Sequence, residues 1–396
     1  MKIGIDCRSI LNPERGEAGG VGHYVYQLIR HLLQIDQKNK YVLFFDHRTK
    51  QKKLQKFKQA NVKISFFPFF LYSKFIIPSV SHHLFSAVIE KEKLDILHFP
   101  NSSQHPDKFN SKKILTIHDL SLLRLSNFFP TDQVKNGKRE LEENVLLSDK
   151  IIAVSESTKK DLIDMFNVSS EKIKVIYHGL DKRFFKKTTP SEIDDVKKKY
   201  KIEKDYLLFL SPLEERKNIY RLIQAFNKVK KEIKDKSDKF NKVLIKNKDI
   251  QLVLTGKIKS ASQKIKEEVK KSPYKNDIIL TGYADPDDLN ALFDGAKVFV
   301  FPSLYEGFGL PLIEAMSSKA PIITSNLSSM PEIVGKGNAI FVNPYRVEEI
   351  FRAFVDLLSN PDLREKLIKR ASERVKIFTW EKTAHETLLA YQELVD

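Results

Sequence analysis

The chain has 396 residues, 41% of them hydrophobic and 30% charged, and a single cysteine, Cys7. That length carries two or three cored domains and excludes a disulfide-stapled miniprotein, and the composition excludes a disordered chain. Lys and Arg number 68 against 51 Asp and Glu, a surplus of 17 positive charges that suits nucleic acid, anionic lipid or phosphorylated substrates without choosing among them.

The opening Lys2-Ile-Gly-Ile-Asp-Cys-Arg8 carries a first β-strand, predicted over Lys2 to Asp6. Asp6 and Arg8 come too early for the apolar core of a signal peptide, and Cys7 is expected to be a buried, inert thiol in a reducing cytoplasm. Gly16, Gly19, Gly20 and Gly22 then fall within seven residues of a chain that has only 14 glycines. The cluster follows a strand and opens a helix expected over Val21 to Ile35, so its bare amides can approach a phosphate; the alternative is a surface loop without a ligand. It lacks the Gly-x-Gly-x-x-Gly spacing and no Gly-Lys-Ser/Thr follows, so neither a nicotinamide fingerprint nor a P-loop is present.

Short apolar runs predict further strands at Tyr41 to Phe45, Val62 to Phe66, Leu94 to His98, Lys113 to Ile117, Lys150 to Val154 and Lys172 to Tyr177. A second series runs Tyr206 to Leu210, Ile250 to Thr255, Asp277 to Leu280, Lys297 to Phe301, Pro321 to Thr324 and Ala339 to Val342. Helix-period segments such as Ile219 to Ile233 and Arg346 to Leu358 alternate with them, the pattern of βαβ units on parallel sheets. The polar, lysine-rich stretch from Asp181 to Lys204, interrupted by Pro190, predicts a boundary between an N-terminal domain 1–190 and a C-terminal domain 191–378. Two doubly wound α/β domains bind ligands at the carboxyl ends of their strands, so a cleft between them is the expected site. The most apolar stretch, Phe66 to Val80, contains Pro68, Lys74 and Pro78 and falls short of the about 20 apolar residues a membrane span needs.

The sharpest chemical signal is Pro302-Ser-Leu-Tyr-Glu306-Gly-Phe-Gly309-Leu-Pro311-Leu-Ile-Glu314, directly after the strand that ends at Phe301. Pro311 suits a first helical turn, and Gly307 and Gly309 leave the preceding amides uncovered for an anion. Glu306 and Glu314 then flank that anion; if it is a diphosphate, the two carboxylates can accept hydroxyls of a sugar on one side and a ribose on the other. The alternative gives Glu306 a capping role and Glu314 a solvated one. Arg216 and Lys217 follow the strand Tyr206 to Leu210 and can neutralise a departing phosphate, unless they are a surface pair. His118-Asp119 follows the strand Lys113 to Ile117 and is either a site histidine or a structural one.

Glu306 to Glu314, with Arg216-Lys217-Asn218, Thr116-Ile-His118-Asp119 and Gly19-Gly-Val-Gly22, resembles the family-four retaining glycosyltransferases of the GT-B fold across nearly the whole chain. Ser325-Asn-Leu-Ser-Ser-Met-Pro331-Glu332 and Trp380-Glu-Lys-Thr-Ala384 resemble its mannosyltransferase-like branch, which builds surface polysaccharides. The resemblance implies that Glu306 holds donor-sugar hydroxyls, that Gly307, Phe308, Gly309 and Leu310 offer their backbone to the sugar and diphosphate, and that Glu314 holds the ribose. It further implies Arg216 and Lys217 on the diphosphate, His118 beside the anomeric carbon, and Gly20 to Gly22 covering the donor. A final helix, 379–396, is expected to pack back on the N-terminal domain, which would bind the acceptor. No metal or other cofactor is expected, because cations and amides do that work. Many relatives carry Arg in a Gly-Arg-Leu segment where this chain has Ser211-Pro212-Leu213, so Arg216 is the candidate replacement; His23 also stands where relatives often have Arg.

These features favour hexosyl transfer, mannosyl being one option, from a nucleotide diphosphate sugar to a carbohydrate or lipid-linked acceptor with retention. A sugar-nucleotide epimerase or hydrolase of the same fold, and a noncatalytic nucleotide-sugar or polyanion binder, are the alternatives; nucleic acid is not an expected partner. Lys52, Lys53, Lys56 and Lys58, followed by the aromatic run Phe66 to Tyr72 with Phe75, Ile76 and Ile77, raise a peripheral contact with an anionic membrane; the alternative makes the aromatics core and cleft lining.

Overall fold

The computed structural model describes residues 1–11, 20–49, 51–67, 86–101, 110–235, 250–257 and 263–395. The chain divides into two compact units, one formed by Met1–Gly179 with Phe378–Asp396 and the other by Leu180–Ile377. The first unit holds a seven-stranded parallel sheet of β1 (Lys2–Asp6), β2 (Lys40–Asp46), β3 (Val62–Phe67), β4 (Ile96–Phe99), β5 (Lys112–Ile117), β6 (Lys150–Ala153) and β7 (Ile173–Val175). Their spatial order is β3-β2-β1-β4-β5-β6-β7. Strands such as β4, buried along its whole length, read as short, largely apolar runs because helices cover both faces of a parallel sheet.

Helix α1 (Gly20–Ile35) buries Tyr24, Leu28, Ile29, Leu32 and Leu33, the helical spacing that marks an amphipathic face. Those side chains share one hydrophobic cluster with Trp380, Ala384, Ala390 and Tyr391 of the C-terminal helix Trp380–Gln392. That helix therefore completes the core of the first unit, although more than 200 residues separate it from β7.

The second unit holds a six-stranded parallel sheet of β8 (Asp205–Leu210), β9 (Ile250–Thr255), β10 (Ile278–Gly282), β11 (Val298–Phe301), β12 (Ile322–Ser325) and β13 (Ile340–Val342), in the order β10-β9-β8-β11-β12-β13. The chain winds outward from β8 through β9 to β10, then returns to lay β11 on the other flank of β8. That reversal leaves a crevice above the carboxyl ends of β8 and β11, where doubly wound sheets bind ligands. In the first unit the same reversal lays β4 beside β1, on the flank opposite β2.

The strands lie within about two residues of the stretches the sequence predicts. The unit break comes at Gly179/Leu180 rather than near 190. Its cause is that residues 180–190 fasten to the second unit: the Phe184 ring meets the Phe293 ring edge-on at 6.2 Å, and Asn290 hydrogen-bonds the Arg183 carbonyl. Among the described residues no helix is long and apolar enough to cross a membrane.

Candidate functional site

Two loops of the second unit meet above the β8–β11 crevice. After β8 the chain runs Ser211-Pro-Leu-Glu-Glu-Arg216-Lys217-Asn218, and after β11 it runs Pro302 to Gly309. Backbone and side chain tie them together: the Leu304 amide donates to the Arg216 carbonyl at 2.9 Å, and Asn218 Nδ2 donates to the carbonyls of Pro302 at 3.1 Å and Pro344 at 2.6 Å. Asn218 sits at φ 62°, a left-handed conformation that asparagine tolerates. The Ser211-Pro212 turn presses on Gly256, where a Cβ would lie 1.8 Å from the Ser211 carbonyl oxygen, so only glycine fits.

This stapling brings three charges of the sequence motifs into one cluster. Lys217 Nζ donates to Glu306 Oε1 at 2.5 Å, and Arg216 Nη1 lies 3.6 Å from Glu306 Oε2. Arg216 also donates to Glu214 Oε2 at 3.0 Å and reaches the Tyr305 carbonyl at 3.4 Å. The Lys217 and Glu306 side chains are 6% and 10% exposed. Burial draws the Lys217 ammonium below the ordinary lysine pKa, Glu306 opposes that shift, and Arg216 reinforces it. A buried carboxylate held by two cations is oriented before any ligand arrives.

Helix Leu310–Met316 starts at this cluster, with Gly309 as its N-cap at φ 96° and Pro311 in its first turn. Its seven residues make a short dipole, so the first-turn amides rather than a long helix provide the positive pole. Glu314 lies one turn in and is half-buried, and its carboxylate accepts no hydrogen bond from the described residues. Burial raises it to about 7, with Arg183 pulling it down and Asp181 pushing it up. A carboxylate so placed can accept hydroxyl donors.

The first unit carries its own constellation at the carboxyl end of β5. His118 Nε2 donates to the Pro100 carbonyl at 2.8 Å, which fixes the proton on Nε2 and leaves Nδ1 an acceptor. The imidazole stacks on His178 with centroids 5.4 Å apart and planes 8° apart, and Tyr24 meets it edge-on at 4.7 Å. Burial lowers the pKa of both histidines, so this pair is neutral at pH 7. His23 meets Trp380 edge-on at 5.9 Å. Gly20, at φ 64°, and Gly22 occupy the first turn of α1; Gly16 and Gly19 lie outside the described residues. Among the described residues no cluster of three or more His, Cys, Asp or Glu is arranged to hold a metal ion.

Residues 191–374 match the glycosyl transferases group 1 family, and residues 18–184 match glycosyltransferase family 4. The chain is a glycosyltransferase of the family-four type. Over 284 residues the glycosyltransferase is 28% identical to O-antigen chain mannosyltransferase B of Escherichia coli, covering 72% of this chain and 71% of that one. It is 30% identical over 249 residues to the serotype-specific mannosyltransferase WbdA of Escherichia coli, which covers 63% of this chain but only 29% of that longer protein. Among solved structures, a sucrose-phosphate synthase from Thermosynechococcus elongatus superposes with a TM-score of 0.77 at 19% identity over 99% of this chain and 98% of that one. HepE of Anabaena in complex with UDP and glucose superposes with a TM-score of 0.71 at 15% identity over 99% of both. These likenesses establish the fold, which is GT-B.

Of the residues the sequence singles out, the glycosyltransferase clusters Arg216, Lys217, Glu306, Gly307, Phe308, Gly309, Leu310 and Glu314 around one helix start in the second unit, and His118 lies in the first. Sequence reasoning missed Arg183 and Asp181, whose charges act on Glu314 from about 130 positions upstream. It also gave no job to Ser328 and Ser329, which hydrogen-bond the backbone of the Glu306 loop.

Proposed function

We propose that this glycosyltransferase moves a hexosyl group, mannosyl in the reading its relatives favour, from a nucleotide diphosphate sugar to a carbohydrate or lipid-linked acceptor during surface polysaccharide or glycolipid synthesis. The observation that carries the donor assignment is the Lys217–Glu306–Arg216 cluster at the start of the helix that holds Glu314. A diphosphate needs adjacent cations, and the sugar and the ribose on its two sides need acceptors for their hydroxyls; the cluster and Glu314 supply both. HepE, whose complexes hold UDP with glucose or UDP-glucose, supports a nucleotide sugar as the donor class.

In this mechanism Glu306 orients the sugar through its hydroxyls and Glu314 anchors the ribose. The bond between the anomeric carbon and the diphosphate oxygen breaks with its electron pair going to the diphosphate, whose growing charge meets Arg216, Lys217 and the amides of Phe308 to Leu310. The acceptor oxygen forms the new bond at the same carbon, and its proton passes to the departing diphosphate oxygen. Retention of anomeric configuration is part of the proposal and rests on the family resemblance. His118, neutral with Nδ1 as acceptor, is assigned to a sugar hydroxyl rather than to charge. The Gly20 to Gly22 turn is assigned to the donor as a cover, and catalysis is proposed to need no metal.

The test is a donor panel of UDP-glucose, GDP-mannose and related nucleotide sugars, with mass spectrometric detection of released nucleotide and of acceptor-dependent product, in the presence and absence of EDTA. Nucleotide release that requires acceptor supports transfer. Donor turnover without acceptor-dependent product would move the protein to an epimerase or hydrolase, and loss of activity in EDTA would contradict the metal-free step.

A further inference from the structure

We propose that Ser328 and Ser329 are positioning residues of the donor site, setting both the carboxylate of Glu306 and the direction of the amides that follow it. This rests on the role proposed for Glu306. Ser329 is fully buried and stands at the N-cap of helix Met330–Val334. A serine there ordinarily turns its hydroxyl onto its own helix. Here the side chain makes no cap hydrogen bond. Its Oγ reaches out of the helix instead, 2.9 Å from the Glu306 carbonyl oxygen and 3.0 Å from that of Phe308.

The neighbouring Ser328 grips the same residue. Its Oγ accepts from the Glu306 amide at 3.1 Å and also hydrogen-bonds the Glu306 carbonyl. Ser328 holds φ 56°, a left-handed conformation that costs a side-chain-bearing residue free energy and persists where surrounding contacts impose it. Two hydroxyls from adjacent residues thus hold both ends of the Glu306 backbone, one of them diverted from capping and the other at a strained position.

Peptide planarity turns this clamp into a directional device. In a trans peptide the N–H points opposite to the C=O, and no peptide here is cis. With the carbonyls of Glu306 and Phe308 both drawn toward Ser329, the amides of Gly307 and Gly309 are turned the other way, toward the side on which charge develops during transfer. Glycine at both positions lets these two peptide planes take that orientation, and Gly309 does so at φ 96°. The serines therefore touch no substrate and act through the loop.

Ser328→Gly and Ser329→Ala test this, with turnover per folded molecule, affinity for GDP and UDP by calorimetry, and melting temperature measured on the full chain. Ser328→Gly relaxes the left-handed backbone, so it decides the matter even if Ser329→Ala folds poorly. Each change should lower kcat about tenfold while nucleotide diphosphate affinity, held by Glu314 and the cations, stays within about twofold. A merely structural pair would move the melting temperature and both functional readouts together, or none of them, and either result overturns the inference. Glu306→Gln is assayed alongside: if it loses turnover while both serine variants keep theirs, only this inference falls, and if it too is silent, the proposed donor site falls with it.

Discussion

Lys217 Nζ and Glu306 Oε1 lie 2.5 Å apart at the meeting of the β8 and β11 loops, so the cation proposed for the diphosphate and the carboxylate proposed for the sugar are already partners. Each is nearly buried, and removing one leaves the other's charge desolvated without its nearest partner. Glu306→Gln should lower turnover about 10- to 150-fold, the loss of one charge-assisted hydrogen bond. Lys217→Ala should lower it about 100-fold or more, because it also strips the leaving group of a cation. The two losses should be strongly non-additive when combined, as expected for side chains in contact. A double variant whose loss equals the product of the single losses would show that the pair is not the working unit.

The raised pKa of Glu314, about 7, should make nucleotide binding pH-dependent if this carboxylate holds the ribose as proposed. As an acceptor for ribose hydroxyls it must be ionised, so binding should release a proton, and affinity for a nucleoside diphosphate should fall as pH drops below about 7. The stability sign is opposite. Its folded pKa lies above the unfolded value of about 4.3, so the group's stabilising contribution is complete below that value and is lost as pH rises through about 7. Glu314→Gln should weaken binding at high pH and remove both dependences. Calorimetry of GDP and UDP in buffers of different ionisation enthalpy, with the variant as control for the nucleotide's own titration, measures this; equal proton release in both proteins would sink the assignment.

The strands were legible because a parallel sheet covered on both faces demands short unbroken apolar runs, and β1 at Lys2–Asp6 and β9 at Ile250–Thr255 match those runs to the residue. The helix start at Gly309-Leu310-Pro311 was legible because glycine and proline punctuate backbone conformation locally. What the sequence did not reveal is what tertiary structure assembles. Arg183 and Asp181 act on Glu314 only because the 180–190 segment folds onto the second unit. Ser328 and Ser329 stand in the sequence only as part of a segment resembling the mannosyltransferase-like branch, and nothing local says that their hydroxyls reach back to Glu306.

His118 is held neutral by burial, with its Nε2 proton committed to Pro100. A neutral ring gives a hydroxyl an acceptor but cannot neutralise a phosphate. His118→Ala should therefore lower turnover while leaving nucleotide diphosphate affinity nearly unchanged. The pH profile of kcat/KM should show no inflection near the ordinary histidine value of about 6.5 that disappears in the variant. Full turnover in His118→Ala would return the residue to a packing role against Tyr24 and His178.

A peripheral membrane contact, if the chain makes one, is proposed at the turn Gln51–Phe57, which buries Leu54 and Phe57 in the core of the first unit and leaves Lys52, Lys56 and Lys58 exposed around it. Lys56 donates to Tyr26 Oη at 3.0 Å and lies 4.7 Å above that ring, so its stem is held rather than swinging free. Phe66 packs against the core; the remaining aromatics of the run, from Phe69 onward, lie outside the described residues. Electrostatics is then the term to test, because basic side chains near an anionic leaflet contribute about 1 kcal/mol each and lose that contribution to salt screening. Cosedimentation with phosphatidylserine-containing vesicles at low salt should capture the protein, neutral phosphatidylcholine vesicles should not, and high salt should release it. Replacing Lys52, Lys53, Lys56 and Lys58 by Gln should abolish capture without lowering turnover on a water-soluble acceptor, since none of the four is assigned to the donor. No capture on anionic vesicles at low salt, or capture that survives the four replacements, would rule out this face as the membrane contact.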